Sequence, residues 1–239
     1  MIRFIIVVLF LAIFALFSAI ALPIEYLIGK INPELKQRSS QKIVVAAFRI
    51  ILFLCGTHIK VLGVERIPDA PVLFVSNHRS YLDILIAYVT LPHLTGFISK
   101  MEVSRIPVLT QWMRNLKCLF LNRTDAREGL KTILTGIEQI KEGTSMFIAP
   151  EGTRNHNAEM LPFKPGSLKM AEKTGCPIVP VAISHADEIF ELQAPRICST
   201  NVTIEYGEPI YLSRLDAVGK KALLETTQEQ VRQMLAKND

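Results

Sequence analysis

Residues 71–88, PVLFVSNHRSYLDILIAY, decide the fold because a strand-like run, a polar turn and the start of a helix follow one another directly. Residues 71–75 form the apolar run, which has the length of a strand. The apolar side chains after the turn recur at helical spacing: Leu82, Leu85, Ile86 and Val89. Backbone N–H groups and the helix dipole converge where a strand leads into a helix, so this turn is a good place for chemistry.

The turn contains a histidine and, five residues later, a carboxylate: His78 and Asp83. On one continuous helix these side chains would point apart. With His78 in the turn and Asp83 in the first helical turn, the carboxylate can orient the imidazole and leave its other nitrogen free to take a proton. No serine or cysteine nucleophile lies beside them in the sequence, so the expected target is a substrate hydroxyl. The alternative is a capping box, with Ser80 as N-cap and Asp83 at N3.

Composition favours a membrane surface or phosphorylated substrates. The chain has 239 residues, 49% of them hydrophobic, with a mean hydropathy of +0.29, a net charge of +5 and a pI near 9.0. A modestly basic, apolar chain suits anionic partners. We expect no nucleic-acid partner, since no basic run is interleaved with aromatic residues.

The cysteines predict reduced thiols. They form no CxxC pair and lie mostly among apolar neighbours: Cys55, Cys118, Cys176 and Cys198. This pattern argues against a disulfide framework or a zinc site, and we expect no metal.

Residues 4–22 carry no charge, and Ser18 is their one polar residue. As a helix this segment would be about 28 Å long, enough to cross a hydrocarbon core. It is longer than the apolar part of a usual signal peptide and lacks a clear cleavage site, which favours a retained membrane segment. It could be a single span or one arm of a hairpin. The cations that follow it place the downstream side in the cytoplasm: Lys30, Lys36, Arg38 and Lys42.

A second apolar segment, residues 43–55, is interrupted by Arg49 and is too short to span a bilayer. It could lie in the membrane interface, close a hairpin or form a buried core helix. We therefore divide the chain into membrane-associated hydrophobic segments, residues 1–56, and a catalytic domain, residues 57–239.

From about residue 60 the pattern predicts an α/β fold with a mainly parallel central sheet flanked by helices. Strand-like runs occur at residues 72–75, 96–99, 118–121, 145–149, 178–183 and 202–206. Helical patterns cover residues 126–142, 167–174 and 220–237. Asp125 is a plausible N-cap of the first of these, and Gly143 lies just past its end.

Several polar groups follow predicted strands directly. Since the carboxyl ends of parallel strands meet at one edge of a sheet, we expect these side chains to gather there: His78, Lys100, Arg123, Glu151 and Arg154. The arginine fork suits a phosphate, and Gly152 would let the backbone approach one.

Four stretches in this order resemble the motifs of the phospholipid/glycerol acyltransferase family, most closely its bacterial 1-acylglycerol-3-phosphate acyltransferase branch. They are NHRSYLD (77–83), LFLNR (119–123), EGTR (151–154) with PFKPG (162–166), and IVPV (178–181). The resemblance covers roughly residues 61–211 and implies a membrane-bound enzyme of phospholipid biosynthesis, on the inner (cytoplasmic) membrane with its catalytic domain facing the cytoplasm.

The resemblance also implies residue roles. His78 would be the general base and Asp83 its orienting partner, while Pro180 belongs to the motif that shapes the acyl-donor side. Arg123 resembles the phosphate-binding arginine of the second motif. The third motif supplies the acceptor-binding group: Glu151, Gly152, Thr153 and Arg154. Lys100 is added as a phosphate contact from its position after a strand.

The implied reaction is acyl transfer from acyl-CoA or acyl-carrier protein, as co-substrate and without a cofactor, to lysophosphatidic acid. Two departures bear on the acceptor: Asn122 replaces an aspartate, and Arg79 replaces a glutamine and could add a cation near His78. Another lysolipid acceptor, a transacylase, or a membrane-anchored phospholipid-binding protein without turnover are the alternatives.

Overall fold

A seven-stranded sheet forms the centre of the computed structural model, which describes residues 1–155, 157 and 159–238. Its strands are β1 (Thr57–Leu62), β2 (Leu73–Ser76), β3 (Thr95–Lys100), β4 (Leu119–Leu121), β5 (Ser145–Ile148), β6 (Ile178–Ser184) and β7 (Thr200–Tyr206). They lie in the order β1-β7-β6-β2-β5-β3-β4, and every neighbouring pair is parallel except β6 and β7. The predicted mainly parallel sheet is confirmed.

Helices cover both faces of this sheet. They are α1 (Ile2–Ile31), α2 (Pro33–Cys55), α3 (Leu82–Thr90), α4 (Pro107–Asn115), α5 (Ala126–Lys141), α6 (Lys169–Thr174), α7 (Ala217–Lys221) and α8 (Leu223–Asn238). Successive strand residues point to opposite faces. Phe74 accordingly packs in the core with α2, α3 and α4, while Leu73 packs in the core with α5, α6 and α8.

All six predicted strands are present, with ends within two residues of their expected positions. Strand β1 was missed because its alternate positions His58 and Lys60 are exposed and polar, so no apolar run marks it. The helix predicted at residues 220–237 is two helices, α7 and α8, and α6 is two residues shorter at its start than predicted.

The N-terminal segments form a helical hairpin, and both helices extend well beyond their apolar runs. Asn32 separates them and caps α2, where its Oδ1 accepts a hydrogen bond from the backbone N–H of Leu35 at 2.9 Å. Arg3 Nη1 donates to the carbonyl oxygen of Cys55 at 3.2 Å, which brings the first turn of α1 beside the last turn of α2. The segment at residues 43–55 therefore closes a hairpin.

Buried polar contacts attach this hairpin to α4. Trp112 Nε1 donates to Ser18 Oγ at 2.9 Å, and Asn115 Nδ2 donates to Ser40 Oγ at 3.0 Å. Ser40 Oγ in turn donates to Glu25 at 2.9 Å. Buried polar groups of this kind are costly to separate, so they fix how the hairpin lies against the rest of the fold.

Asn77 fixes the turn that follows β2. Its Nδ2 donates to the carbonyl oxygen of Ile183, and its Oδ1 accepts the N–H of the same residue, both at 2.9 Å. The buried amide thus continues the pairing of β2 with β6 by one residue beyond the strand. The backbone that carries His78 therefore leaves the sheet from a fixed point.

Candidate active site

The carboxyl ends of β2, β3, β4 and β5 surround a cavity of about 300 Å³, here called the histidine cavity. Six of the eight residues that the sequence indicated line it: His78, Asp83, Lys100, Arg123, Gly152 and Arg154. Glu151 and Thr153 do not. Groups up to 76 positions apart in the chain meet here because the strands that carry them are neighbours in a parallel sheet.

Asp83 orients the imidazole of His78. His78 Nδ1 donates to Asp83 Oδ2 at 3.0 Å, which places the neutral ring's hydrogen on Nδ1 and leaves Nε2 as an acceptor. Nε2 has no hydrogen-bond partner among the described residues. The same Asp83 oxygen accepts the N–H groups of Arg79 and Ser80, each at 2.8 Å. The carboxylate therefore caps the turn and orients the imidazole at once. The expected capping box is only partly present, because Tyr81 is the N-cap of α3 and Ser80 Oγ accepts the N–H of Leu82 instead of that of Asp83. The catalytic role of the pair stays a prediction.

Glu151 supports the turn from the β5 side and does not face the cavity. Its Oε1 accepts the N–H of His78 at 2.8 Å, and its Oε2 accepts the N–H of Leu161 at 2.9 Å. Burial raises the pKa of Glu151, an effect that these two N–H donors oppose. The acceptor-binding role expected from the sequence stays a prediction, since both carboxylate oxygens already bind the scaffold here.

Glu191, which the sequence did not single out, holds the same turn from the other side. It accepts the hydroxyl of Ser80 at 2.8 Å and the N–H of Tyr81 at 2.7 Å, and its side chain is 4% exposed. Arg154 Nη1 lies 3.8 Å away from it. No local signal marks Glu191, because it lies in a short 3₁₀ helix about 110 positions from its partners.

Three cations line the cavity with His78. Arg154 stacks on Tyr81, with Cζ 3.6 Å from the ring centroid, and donates to its hydroxyl at 2.8 Å. Arg123 is exposed, and its side chain forms no hydrogen bond or ion pair within the described part of the chain. Desolvation by the surrounding protein lowers the pKa of Arg123, and the attraction of Glu102 opposes this effect. Lys100 is exposed at the rim. Cations with free N–H groups suit a phosphate.

Both departures from the expected motifs have structural explanations. Arg79 forms a 2.8 Å ion pair with Asp187 and does not line the cavity, so it adds no free cation beside His78. Asn122 Oδ1 accepts hydrogen bonds from the N–H and hydroxyl of Thr124 and from the N–H of Asp125, and so shapes the loop from β4 to α5.

Comparison with known proteins gives a family and several relatives. The family model described as Acyltransferase matches residues 58–184, more than half of the chain. The chloroplastic 1-acyl-sn-glycerol-3-phosphate acyltransferase BAT2 of Brassica napus is 34% identical over 163 residues, covering 67% of this chain and 47% of the relative. The 1-acyl-sn-glycerol-3-phosphate acyltransferase of Saccharomyces cerevisiae is 31% identical over 191 residues, covering 78% of this chain and 61% of the relative.

Among solved structures, the 1-acyl-sn-glycerophosphate (LPA) acyltransferase PlsC of Thermotoga maritima shares the fold. The TM-score is 0.81 at 24% identity, with 99% of this chain and 96% of that chain covered. The chain spans about half of the length of the curated relatives named above.

We predict that Glu191→Ala destabilises the fold by roughly 1–3 kcal/mol, because the buried Ser80 hydroxyl and the Tyr81 N–H lose their acceptor. Chemical unfolding measures the change, and hydrogen exchange at the Tyr81 amide should accelerate. Glu225→Ala, on an exposed carboxylate of α8 whose side chain forms no hydrogen bond or ion pair among the described residues, is the control and should change stability by less than about 0.5 kcal/mol. A Glu191→Ala protein as stable as the control would contradict this account of the turn.

Proposed function

Because the chain belongs to the acyltransferase family, we propose that it transfers a fatty acyl group to the free sn-2 hydroxyl of lysophosphatidic acid, giving phosphatidic acid. The donor is the thioester of acyl-CoA or acyl-carrier protein, used as a co-substrate. One observation carries the proposal: an imidazole oriented by a carboxylate opens, through its free nitrogen, into a cavity lined with three cations.

In the proposed reaction, His78 Nε2 takes the proton of the acceptor hydroxyl as its oxygen attacks the thioester carbonyl carbon. The carbon–sulfur bond breaks, and the departing thiolate receives the proton from the imidazolium, which Asp83 stabilises meanwhile. No acyl-enzyme is required. Burial raises the pKa of Cys118 to about 12, which keeps that thiol protonated and unreactive.

The cations of the histidine cavity support a phosphorylated acceptor. Arg154 and Lys100 would bind the acceptor's phosphate, and Arg123 would share it. Arg79 is neutralised by Asp187, so among the described residues the cations of the cavity are Lys100, Arg123 and Arg154. Besides Asp83, the one carboxylate that lines the cavity with them is Glu102. This excess of positive charge matches lysophosphatidic acid better than a lysolipid with a cationic headgroup.

A membrane partner follows from the surface of α1. This helix is long and apolar enough to cross a membrane, and most of its apolar side chains are exposed, among them Leu9, Leu16 and Ile20. Further apolar side chains are exposed beside the hairpin: Ile106, which precedes α4, and Val108 and Leu109 of α4. Apolar surface of this extent favours burial in lipid, where acceptor and product both reside.

Contacts of Ser18 with α4 favour an α1 that lies in one leaflet over an α1 that spans. Ser18, in the middle of α1, accepts a hydrogen bond from Trp112. If α1 spanned the bilayer, Ser18 would lie near the bilayer centre, and α4 of the catalytic domain, which contacts Ser18, would have to lie there too. We place the catalytic domain on the cytoplasmic face of the inner membrane. Four free cysteines support this side, as do Lys36, Arg38 and Lys42 of α2, which suit the anionic surface of the cytoplasmic leaflet.

The first test of the proposed function uses purified protein with lysophosphatidic acid and labelled acyl-CoA. We predict that His78→Ala lowers turnover by roughly 10²–10⁴-fold, the contribution expected of a positioned general base. His58→Ala, on an exposed histidine of β1, should keep wild-type turnover.

Parallel assays with lysophosphatidylcholine and a lyso-aminolipid as acceptors separate the alternatives. If kcat/KM for either of these lysolipids is higher than that for lysophosphatidic acid, that lysolipid is the preferred acceptor. Absence of transfer by the wild-type protein to every acceptor would favour a lipid-binding protein without turnover. Substantial turnover by His78→Ala would remove this histidine from the mechanism.

Membrane attachment is tested by vesicle sedimentation with a Leu16→Gln/Ile20→Gln protein. These side chains are 73% and 69% exposed, so the fold should tolerate the change. Burying two such side chains in lipid contributes about 3 kcal/mol, and we predict a roughly hundredfold weaker partition into anionic vesicles. Val218→Gln, equally exposed on α7, should bind vesicles like the wild type. Equal vesicle binding by both variants would show that the exposed face of α1 is not the membrane-binding surface of the protein.

A further inference from the structure

A second cavity of about 380 Å³, here called the lysine cavity, adjoins the histidine cavity. The two share four lining residues: Ile98, Arg123, Ala149 and Gly152. The shared residues come from the carboxyl ends of β3, β4 and β5, so a ligand in the lysine cavity can approach the space in front of His78 from the side of α5. Its volume lies within the usual range of small-molecule sites.

The lining of the lysine cavity is positively charged and otherwise largely apolar. Its cations are Arg123, Lys164 and Lys169, and no carboxylate in the described part of the chain lines it. Neither lysine side chain forms a hydrogen bond or an ion pair among the residues that the structure describes. The apolar wall comes from Leu121, Ile133 and Ile148 and their neighbours. Uncompensated cations beside an apolar wall suit a ligand that combines a phosphate with an aliphatic arm.

Two glycines with positive φ lie close against the lysine side chains. Gly152 has φ +75°, and a Cβ there would lie 2.8 Å from Lys164 Nζ, so the ammonium group rests directly against the glycine that separates the two cavities. Gly166 has φ +82°, and a Cβ there would lie 3.4 Å from Lys169 Cε. Lys164 of the PFKPG stretch and Lys169 at the start of α6 thus both line the cavity.

We propose that the lysine cavity binds the phosphate-bearing arm of the acyl donor, the phosphopantetheine that coenzyme A and acyl-carrier protein share. This inference rests on the proposed function. The reaction brings two phosphorylated substrates to one base, and the fold provides two cationic cavities that meet at Arg123 and Gly152. With the acceptor's phosphate in the histidine cavity, the donor's phosphate binds to Lys164 and Lys169. The thioester of the donor then extends past Gly152 toward His78.

Steady-state kinetics with Lys164→Ala and Lys169→Ala test the assignment. Each change should raise the KM for acyl-CoA roughly tenfold, the factor expected for one lost hydrogen bond to a charged group, with the KM for lysophosphatidic acid unchanged. Lys173→Ala, on an exposed lysine of α6 that does not line the cavity, is the matched control. A raised KM for the acceptor instead, or no change in either KM, would overturn the proposal.

Calorimetry provides a readout that does not need turnover. Coenzyme A and holo-acyl-carrier protein, titrated separately into each protein, should bind the two lysine variants more weakly than the wild type and the control. The carrier that binds the wild-type protein more tightly is the one that delivers the acyl group: coenzyme A or acyl-carrier protein. The protein could bind the carriers through the two lysines and yet show no transfer activity. That result would refute the proposed function but leave the assignment of the lysine cavity intact. Carrier affinities that are the same in all four proteins would refute the assignment.

Discussion

The turn between β2 and α3 depends on buried carboxylates that accept its backbone N–H groups. Asp83 accepts the N–H groups of Arg79 and Ser80, Glu151 accepts that of His78, and Glu191 accepts that of Tyr81. An irregular turn buried at a sheet edge would otherwise leave these donors unsatisfied, which costs free energy. Asp83 also accepts a hydrogen bond from the imidazole. The same carboxylate therefore satisfies the backbone N–H groups of the turn and orients the base.

The parallel sheet places this turn beside the residues that line both cavities, one for each proposed substrate. Neighbouring strands β2, β5, β3 and β4 end at the same edge, and a residue that the proposed chemistry needs lies at or just beyond the end of each. Glycine at position 152, with its positive φ, keeps the partition between the two cavities thin. The helical hairpin is fixed to α4 through Ser18 and Trp112, so the apolar surface of α1 has a set orientation relative to the site.

Local patterns in the sequence predicted most of the strands, the long helix α5 and the pairing of His78 with Asp83. Contacts between distant segments could not be predicted in this way. Glu191 and Asp187 lie over 100 positions from the turn residues they bind, in a stretch with no periodicity. The sequence indicated Glu151 as a residue of the site, yet its carboxylate supports the turn, because only the folded backbone shows where its oxygens point.

The central claim is that Asp83 holds the neutral imidazole of His78 with its hydrogen on Nδ1 and Nε2 bare toward the cavity. Nitrogen-15 NMR of the histidine rings, at a pH where His78 is neutral, reads this tautomer directly. We expect a protonated Nδ1 and an unprotonated Nε2 in the wild type, with mixed tautomers in Asp83→Ala. A hydrogen on Nε2 in the wild-type protein would contradict this claim, since that nitrogen could not take a proton from a substrate hydroxyl.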